Sequence, residues 1–194
     1  MALPGVGQAR LIADTLDELV RAYRPLSVAV IGCAGGNGFD RLTGAGVRRV
    51  VGVDINTEYL NAARERYGSA LPDLELHAAD IQSTQTRFAP VDFIYAALVL
   101  EYVDLDLALR SLHRYCHPGA TLATLTQLPH CSQGHVSRSP YTSLKKLEPV
   151  MRLVRSETLV LTAVSAGFEP LETSILATPA GKEFALHRFR AAPP

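Results

Sequence analysis

The chain has 194 residues, of which 47% are hydrophobic and 20% are charged, and its 19 basic residues balance its 19 acidic residues. This composition predicts one globular domain over residues 1–194, and it argues against a nucleic-acid partner because no basic run is longer than Lys145–Lys146. No stretch approaches the roughly 20 apolar residues of a membrane span, and three scattered cysteines without a CxxC pair predict a reducing, cytoplasmic location.

The first predicted element is an amphipathic helix over residues 8–23, within an N-terminal segment 1–24 that ends before Pro25. Strands and helices then alternate along the chain. The predicted strands are 27–32, 48–55, 74–81, 91–98 and 121–128, the predicted helices are 57–68 and 104–116, and residues 39–46 are predicted as a helix and a turn. This alternation is typical of parallel βαβ units in a doubly wound sheet.

The last third of the chain changes in character. Residues 127–150 show little periodicity and contain both Pro and Gly, which predicts a loop insertion that covers a binding site. A helix over 153–168 and two strands, 169–176 and 183–190, follow as a closing antiparallel pair. The fold class is therefore predicted as α/β, a Rossmann-like sheet of seven strands that is mostly parallel.

A glycine-rich loop follows the first predicted strand, in the stretch VAVIGCAGGNGFDRL of residues 28–42. Glycines there let the backbone approach a ligand, although a tight turn without a ligand explains them equally well. Asp54 lies 22 residues after Gly32 at the end of the second strand, where a carboxylate can bind ribose hydroxyls. Asp80 is predicted to end the third strand, so the three features share one rim of the sheet and predict a nucleoside site.

These residues, together with the stretches VDFIYAALVLEYVD and LHRYCHPGATLATL, resemble the successive motifs of class I S-adenosylmethionine-dependent methyltransferases. The family's acidic-x-Gly-x-Gly-x-Gly pattern falls on Val30, Gly32, Ala34 and Gly36, so Val30 replaces the acidic residue. The resemblance implies that S-adenosylmethionine is the cofactor. It implies cofactor-binding roles for Gly32, Ala34, Gly36, Asn37, Asp54, Ile55, Asp80, Ile81 and Ala96.

NAD is the main alternative ligand for such a rim. A dinucleotide fingerprint needs glycine at its first, third and sixth positions, but counting from Gly32 gives Ala34 and Asn37, and counting from Gly36 gives Gly38 and Arg41. Neither register fits, so the spacing favours the sulfonium cofactor.

The fourth strand is expected to face the transferred methyl group with residues 94–96. Related enzymes that methylate nucleic-acid bases or protein glutamine carry Asn or Asp, two prolines and an aromatic residue there, whereas this chain has Tyr95, Ala96, Ala97 and Leu98. A small-molecule acceptor is therefore predicted.

Candidate catalytic bases are Glu101 after the fourth strand and His130 and His135 in the loop insertion, with Tyr102 and Tyr141 as candidate substrate contacts. A metal site in HCSQGH is disfavoured because a fourth ligand is missing, and His113 and His117 are expected at a helix end. The alternative function is a protein that binds the cofactor without turnover, which the loss of the acidic residue at Val30 favours.

Overall fold

The structure, a computed structural model, describes residues 7–71, 73–83, 87–129 and 151–193. The elements in chain order are α1 (Gln8–Tyr23), β1 (Ser27–Ile31), β2 (Arg49–Asp54), α2 (Thr57–Tyr67), β3 (Leu74–Ala78), β4 (Val91–Ala97), α3 (Leu105–Arg114), β5 (Cys116–Gln127), α4 (Ser156–Ser165), β6 (Phe168–Ala177) and β7 (Glu183–Ala191). The predicted α/β class with a closing pair of strands is confirmed.

The seven strands form one sheet in the order β3-β2-β1-β4-β5-β7-β6. Strands β1 to β5 pair in parallel, and β7 runs antiparallel to both β5 and β6. The strand order reverses between β1 and β4, where a crevice opens at the carboxyl ends of the strands in doubly wound folds.

Helices cover both faces of the sheet, which explains why the central strands are apolar on both sides. One buried cluster lies between the sheet and α3 and α4, and includes Ile94, Leu109 and Leu159. The other lies between the sheet and α1 and α2, and includes Leu16 and Leu60. No helix among the described residues is long and apolar enough to cross a membrane.

The helix and turn predicted within residues 39–46 contain no α-helix. The chain makes one 3-10 turn, Phe39–Arg41, instead. Gly38, Gly44 and Gly46 adopt φ values of 87°, 73° and 83°, and a right-handed helix cannot continue through such residues. The glycines on both sides of this turn therefore limit it to three residues.

Two strand boundaries also differ from the predictions. β3 ends at Ala78 rather than at residue 81, because the chain turns at Asp80, whose carbonyl accepts a hydrogen bond from the amide of Ser83. β5 begins at Cys116, which pairs with Val91 before an irregularity in the register, so residues 117–119 belong to the strand rather than to a preceding turn.

Candidate active site

The loop after β1 turns at once and is tied to β2. Gly32 adopts a φ of 69°, and the amides of Gly32 and Cys33 donate to the carbonyl of Val53 at 2.8 and 3.2 Å. Gly32 is exposed at the rim. A Cβ atom on Gly32 would lie 3.2 Å from the side chain of Val99, which follows β4. The loop therefore lies directly against the residues that follow β4.

Asp54 ends β2, as predicted, and holds the glycine loop. Its Oδ2 atom accepts a hydrogen bond of 2.8 Å from the amide of Ala34, and its Oδ1 atom accepts one of 2.9 Å from the amide of Asn56. Each carboxylate oxygen can accept about two hydrogen bonds. The half-buried carboxylate therefore retains acceptor capacity for a ligand hydroxyl.

Ile55 follows Asp54 and is 73% exposed. It lies between the end of β2 and Asn56, whose side chain caps α2 by accepting from the amides of Glu58 and Tyr59. The cap fixes the backbone on both sides of Ile55. A large apolar side chain is thus held in solvent at the rim.

Asp80 is exposed and lies two residues beyond β3, in a turn closed by a 2.9 Å bond from the amide of Ser83 to the Asp80 carbonyl. Its Oδ1 atom accepts from the backbone amide of Gln82 at 2.9 Å, and the Gln82 side-chain amide lies 3.0 and 3.1 Å from its two oxygens. Gln82 in turn accepts from the amide of Asp104 at 2.7 Å. The turn is thereby fastened to the start of α3.

Ile81, predicted beside the cofactor, is only 3% exposed and lies in the cluster under α3 and α4. Its buried side chain anchors the Asp80 turn to that cluster. Ala96 is also fully buried in that cluster.

The far side of the glycine loop is packed against protein. A Cβ atom on Gly36 would lie 2.6 Å from the ring of Tyr67, so glycine is required there by packing as well as by its φ of 83°. The side-chain amide of Asn37 donates to the carbonyl of Ala9 in α1 at 3.2 Å. Both residues therefore fasten the loop to helices, and Asn37 directs its side-chain donor away from the rim.

The side chain of Tyr95, which lies within the strand end expected to face the methyl group, points toward α1. The Tyr95 hydroxyl donates to the carbonyl of Ile12 in α1 at 3.0 Å, and burial raises its pKa. Val30 is buried on this same face, in the cluster that contains Tyr95. Alternation along the strand instead turns Ala96 to the opposite face.

Glu101, predicted as a base, lies in a 3-10 turn after β4 and is 2% exposed. Its Oε1 atom accepts from the amide of Gln127 at the end of β5 at 2.8 Å, and Oε2 has no hydrogen-bond partner among the described residues. Burial raises the pKa of Glu101 to about 7, against the opposing effects of the hydrogen bond from Gln127 and the charge of Lys182.

Tyr102, predicted as a substrate contact, is partly buried next to Glu101, and burial raises its pKa. The remaining candidates, His130, His135 and Tyr141, lie outside the described residues, as does most of the predicted 127–150 insertion.

Three buried polar residues were missed by the sequence analysis. Thr124 and Thr126 on β5 and His187 on β7 lie on the same face of the sheet as Ala96. The signal was present in TLATLT, residues 121–126. Its last two threonines, Thr124 and Thr126, are two positions apart, so they share one face of a strand that is buried on both faces.

A family model described as a methyltransferase domain matches residues 29–124, from β1 into β5. With the seven-stranded sheet and its antiparallel closing strand, this match shows that the chain belongs to the class I S-adenosylmethionine-dependent methyltransferases. Enzymes of this class transfer a methyl group from S-adenosylmethionine. No curated protein matches the chain in sequence.

Solved structures share the fold at low sequence identity. The N-methyltransferase NodS from Bradyrhizobium japonicum WM9 is 18% identical with a TM-score of 0.71, over 98% of this chain and 100% of NodS. Magnesium protoporphyrin IX methyltransferase from Synechocystis PCC 6803, solved with bound S-adenosylmethionine, is 15% identical with a TM-score of 0.70, over 96% of this chain and 81% of that one.

The 4+2 cyclase SpnF is 16% identical with a TM-score of 0.73, over 100% of this chain and 86% of SpnF. Proteins named for different reactions thus share this fold, and at such identities the likeness shows the fold alone.

Proposed function

We propose that the protein methylates a small-molecule acceptor and binds the adenosine half of S-adenosylmethionine with Gly32, Asp54, Ile55 and Asp80. The observation that carries this proposal is the exposed Ile55 beside the Asp54 carboxylate. An adenine ring would cover an apolar side chain that is otherwise left in water, and Asp54 would accept from the ribose hydroxyls. Asp80 would accept from the adenine amino group.

The methionine half of the cofactor would meet the glycine loop. Val30 provides no carboxylate for the amino group, so we propose that backbone atoms of Gly32, Ala34, Gly36 and Asn37 make these contacts. The exposed backbone of Gly32 supports this role. We propose that Ala96 and Ile81, which are both buried in the cluster under α3 and α4, support the cofactor site by packing.

S-adenosylmethionine supplies an electrophilic sulfonium methyl group, whose bond to sulfur breaks as its bond to the acceptor forms. The protein's contributions are then to align the acceptor and to exclude water. If the acceptor carries a proton, we propose that Glu101 removes it. Its pKa of about 7 is close to the operating range that favours a general base.

The predicted roles of His130 and His135 as bases, and of Tyr102 and Tyr141 as substrate contacts, stay predictions. The cytoplasmic location and the absence of a nucleic-acid acceptor also stay predictions, and the balanced charge of the chain supports the second. Nothing in the comparisons favours the alternative of a protein that binds the cofactor without turnover.

Calorimetry tests the cofactor site. We expect the protein to bind S-adenosylmethionine and S-adenosylhomocysteine but not NAD, and we expect Asp54→Ala to lose at least tenfold in affinity. Asp106→Ala is the matched control because Asp106 is a partly exposed carboxylate on α3, paired only with Arg110 at 2.8 Å among the described ion pairs. Binding of NAD alone, or equal affinity in Asp54→Ala and the parent, would overturn the proposal.

A further inference from the structure

Six described side chains carry a buried polar atom that has no hydrogen-bond partner among the described residues, and two of them are the arginines Arg41 and Arg188. In the other four, these atoms are the hydroxyls of Thr124 and Thr126, both ring nitrogens of His187 and the Oε2 atom of Glu101. The two threonines are fully buried and His187 is 1% exposed. We call this group the polar row.

Strand pairing brings the polar row together. Thr124 lies opposite His187 across the β5–β7 pair, and such cross-strand neighbours have Cβ atoms about 5 Å apart. Thr126 is the next β5 residue on the same face. Glu101 accepts from the amide of Gln127, the residue after Thr126, which places its carboxyl at the same end of β5.

The pairing of neighbouring strands connects the polar row with the place where methyl transfer is proposed. Ala96 of β4 is in register with Thr124, and Ile31, the residue before the glycine loop, is in register with Ala96. Register partners therefore lead from the end of β1 across β4 to the polar row on β5 and β7. Arg152 lies beside the row, since its amide donates to the carbonyl of Glu101 at 2.8 Å.

An apolar core does not explain these residues. The large majority of buried side-chain polar atoms in proteins have a hydrogen-bond partner, and each one left without a partner destabilises the fold. Valine would fill the space of either threonine without that cost. Several such atoms in one patch are explained by a bound molecule that supplies their partners.

We propose that the polar row binds the hydroxyl groups of the acceptor, and that the acceptor is a neutral compound with at least two hydroxyls. This inference rests on the proposed function and names the substrate class for that site. It concerns acceptor binding and is separate from cofactor binding at the rim.

The chemistry of the row selects the ligand class. A threonine hydroxyl and a neutral imidazole each offer both a donor and an acceptor, and burial lowers the pKa of His187, which keeps its ring uncharged. An ammonium group only donates, so it would leave the donors of the row unpaired. A carboxylate or phosphate only accepts, so it would leave the acceptor atoms of the row unpaired. Hydroxyl groups do both.

Thermal shift measurements on the complex with S-adenosylhomocysteine test the class of ligand. The hydroxylated probes are glycerol, glucose and catechol, and the comparison probes are putrescine, benzoate and toluene, each at the same concentration. We expect at least one hydroxylated probe to raise the melting temperature above any effect of the comparison probes. A shift only with a comparison probe, or with none, would overturn the inference.

Thr124→Val and Thr126→Val then locate the binding. Each is expected to abolish the probe-induced shift while leaving S-adenosylhomocysteine affinity within twofold. Thr121→Val is the control because Thr121 is a buried threonine on the same strand but pairs with Phe93, whose cluster is on the opposite face. Unchanged probe shifts in both row variants would show that the unpaired hydroxyls bind only water.

Nuclear magnetic resonance of His187 gives a second test. Its ring signals should not respond to the probe if His187 has only a structural role. In protein labelled with nitrogen-15 histidine, and with His187→Gln used for assignment, the effective hydroxylated probe should shift the His187 ring nitrogens. Unmoved resonances would contradict the inference. Loss of S-adenosylhomocysteine binding by the parent would instead contradict the proposed function, so the two failures are distinguishable.

Discussion

The Oδ2 atom of Asp54 and the backbone amide of Ala34 are joined by a hydrogen bond of 2.8 Å, which ties the end of β2 to the glycine loop. Ala34 has a φ of 47°, a left-handed conformation that is unfavourable for a residue with a side chain. The bond to Asp54 helps to hold the loop in that shape. The carboxylate that is proposed to bind ribose therefore also holds the glycine loop of the same site in place.

We expect Asp54→Asn to lower the free energy of unfolding by about 1–3 kcal/mol, because two hydrogen bonds to a charged acceptor are weakened. Urea denaturation at neutral pH measures this. Asp106→Asn, which removes one end of an exposed ion pair, should change the free energy by less than about 1 kcal/mol. Equal effects of the two substitutions would contradict the conclusion that Asp54 holds the glycine loop in place.

Ile55→Ala should weaken S-adenosylhomocysteine binding several-fold and leave the free energy of unfolding nearly unchanged. Ile55 is 73% exposed in the free protein, so its truncation costs the fold little, whereas a bound adenine would lose about 1 kcal/mol of apolar contact. Calorimetry and urea denaturation measure the two effects. Leu161→Ala, at a site on α4 that is 70% exposed, should change neither.

Gly36→Ala should destabilise the fold more than Gly46→Ala does. Both glycines have a φ of 83°, so both substitutions carry a backbone cost of about 1–2 kcal/mol. A Cβ atom on Gly36 would also meet Tyr67 at 2.6 Å, whereas one on Gly46 would meet nothing within 4 Å. We expect an additional loss of about 1–3 kcal/mol for Gly36→Ala. Equal losses in urea denaturation would mean that the loop and Tyr67 separate without cost.

Glu101→Gln should change how stability depends on pH. Because the pKa of Glu101 is raised from 4.5 to about 7 in the folded protein, folding favours the protonated form. Relative to Glu101→Gln, the parent should therefore be most stable below pH 4.5. This advantage of about 3 kcal/mol should be lost progressively as the pH rises from 4.5 through the folded pKa of about 7.

Urea denaturation of both proteins between pH 4 and pH 8 measures this difference. Curves that run parallel over the whole range would show that Glu101 ionises normally in the fold. The Gln side chain can still accept from the amide of Gln127, so the substitution preserves that contact.

The sequence allowed the fold to be predicted well because its strands carry strong signals. Buried apolar runs such as residues 27–32 and 91–98 alternate with amphipathic helices, and Asn56 and Asp104 cap α2 and α3 in the structure. The missing helix after the glycine loop was not foreseen because glycines cluster both before and after a stretch with helical composition. Their positive φ values outweighed the propensity of the residues between them.

The site could be predicted only in part, since spacing identifies rim residues but not the direction of their side chains. Asp54 and Ile55 lie at the end of β2 as expected. The hydroxyl of Tyr95 and the side-chain amide of Asn37 both donate to carbonyls of α1. The direction of these side chains could not be predicted, because both contacts depend on how α1 packs. His187 is distant in sequence from every motif, and only the pairing of β5 with β7 brings it beside Thr124.

The short 3-10 turn after the glycine loop has an electrostatic consequence. The macrodipole of a long helix concentrates positive potential at its first residues, and this potential attracts the pyrophosphate of a dinucleotide. The peptide dipoles of the three-residue turn Phe39–Arg41 add up to only a small dipole along its axis. A methyl donor that carries a sulfonium cation and no phosphate needs no such field, and a strong one would repel its positive sulfur.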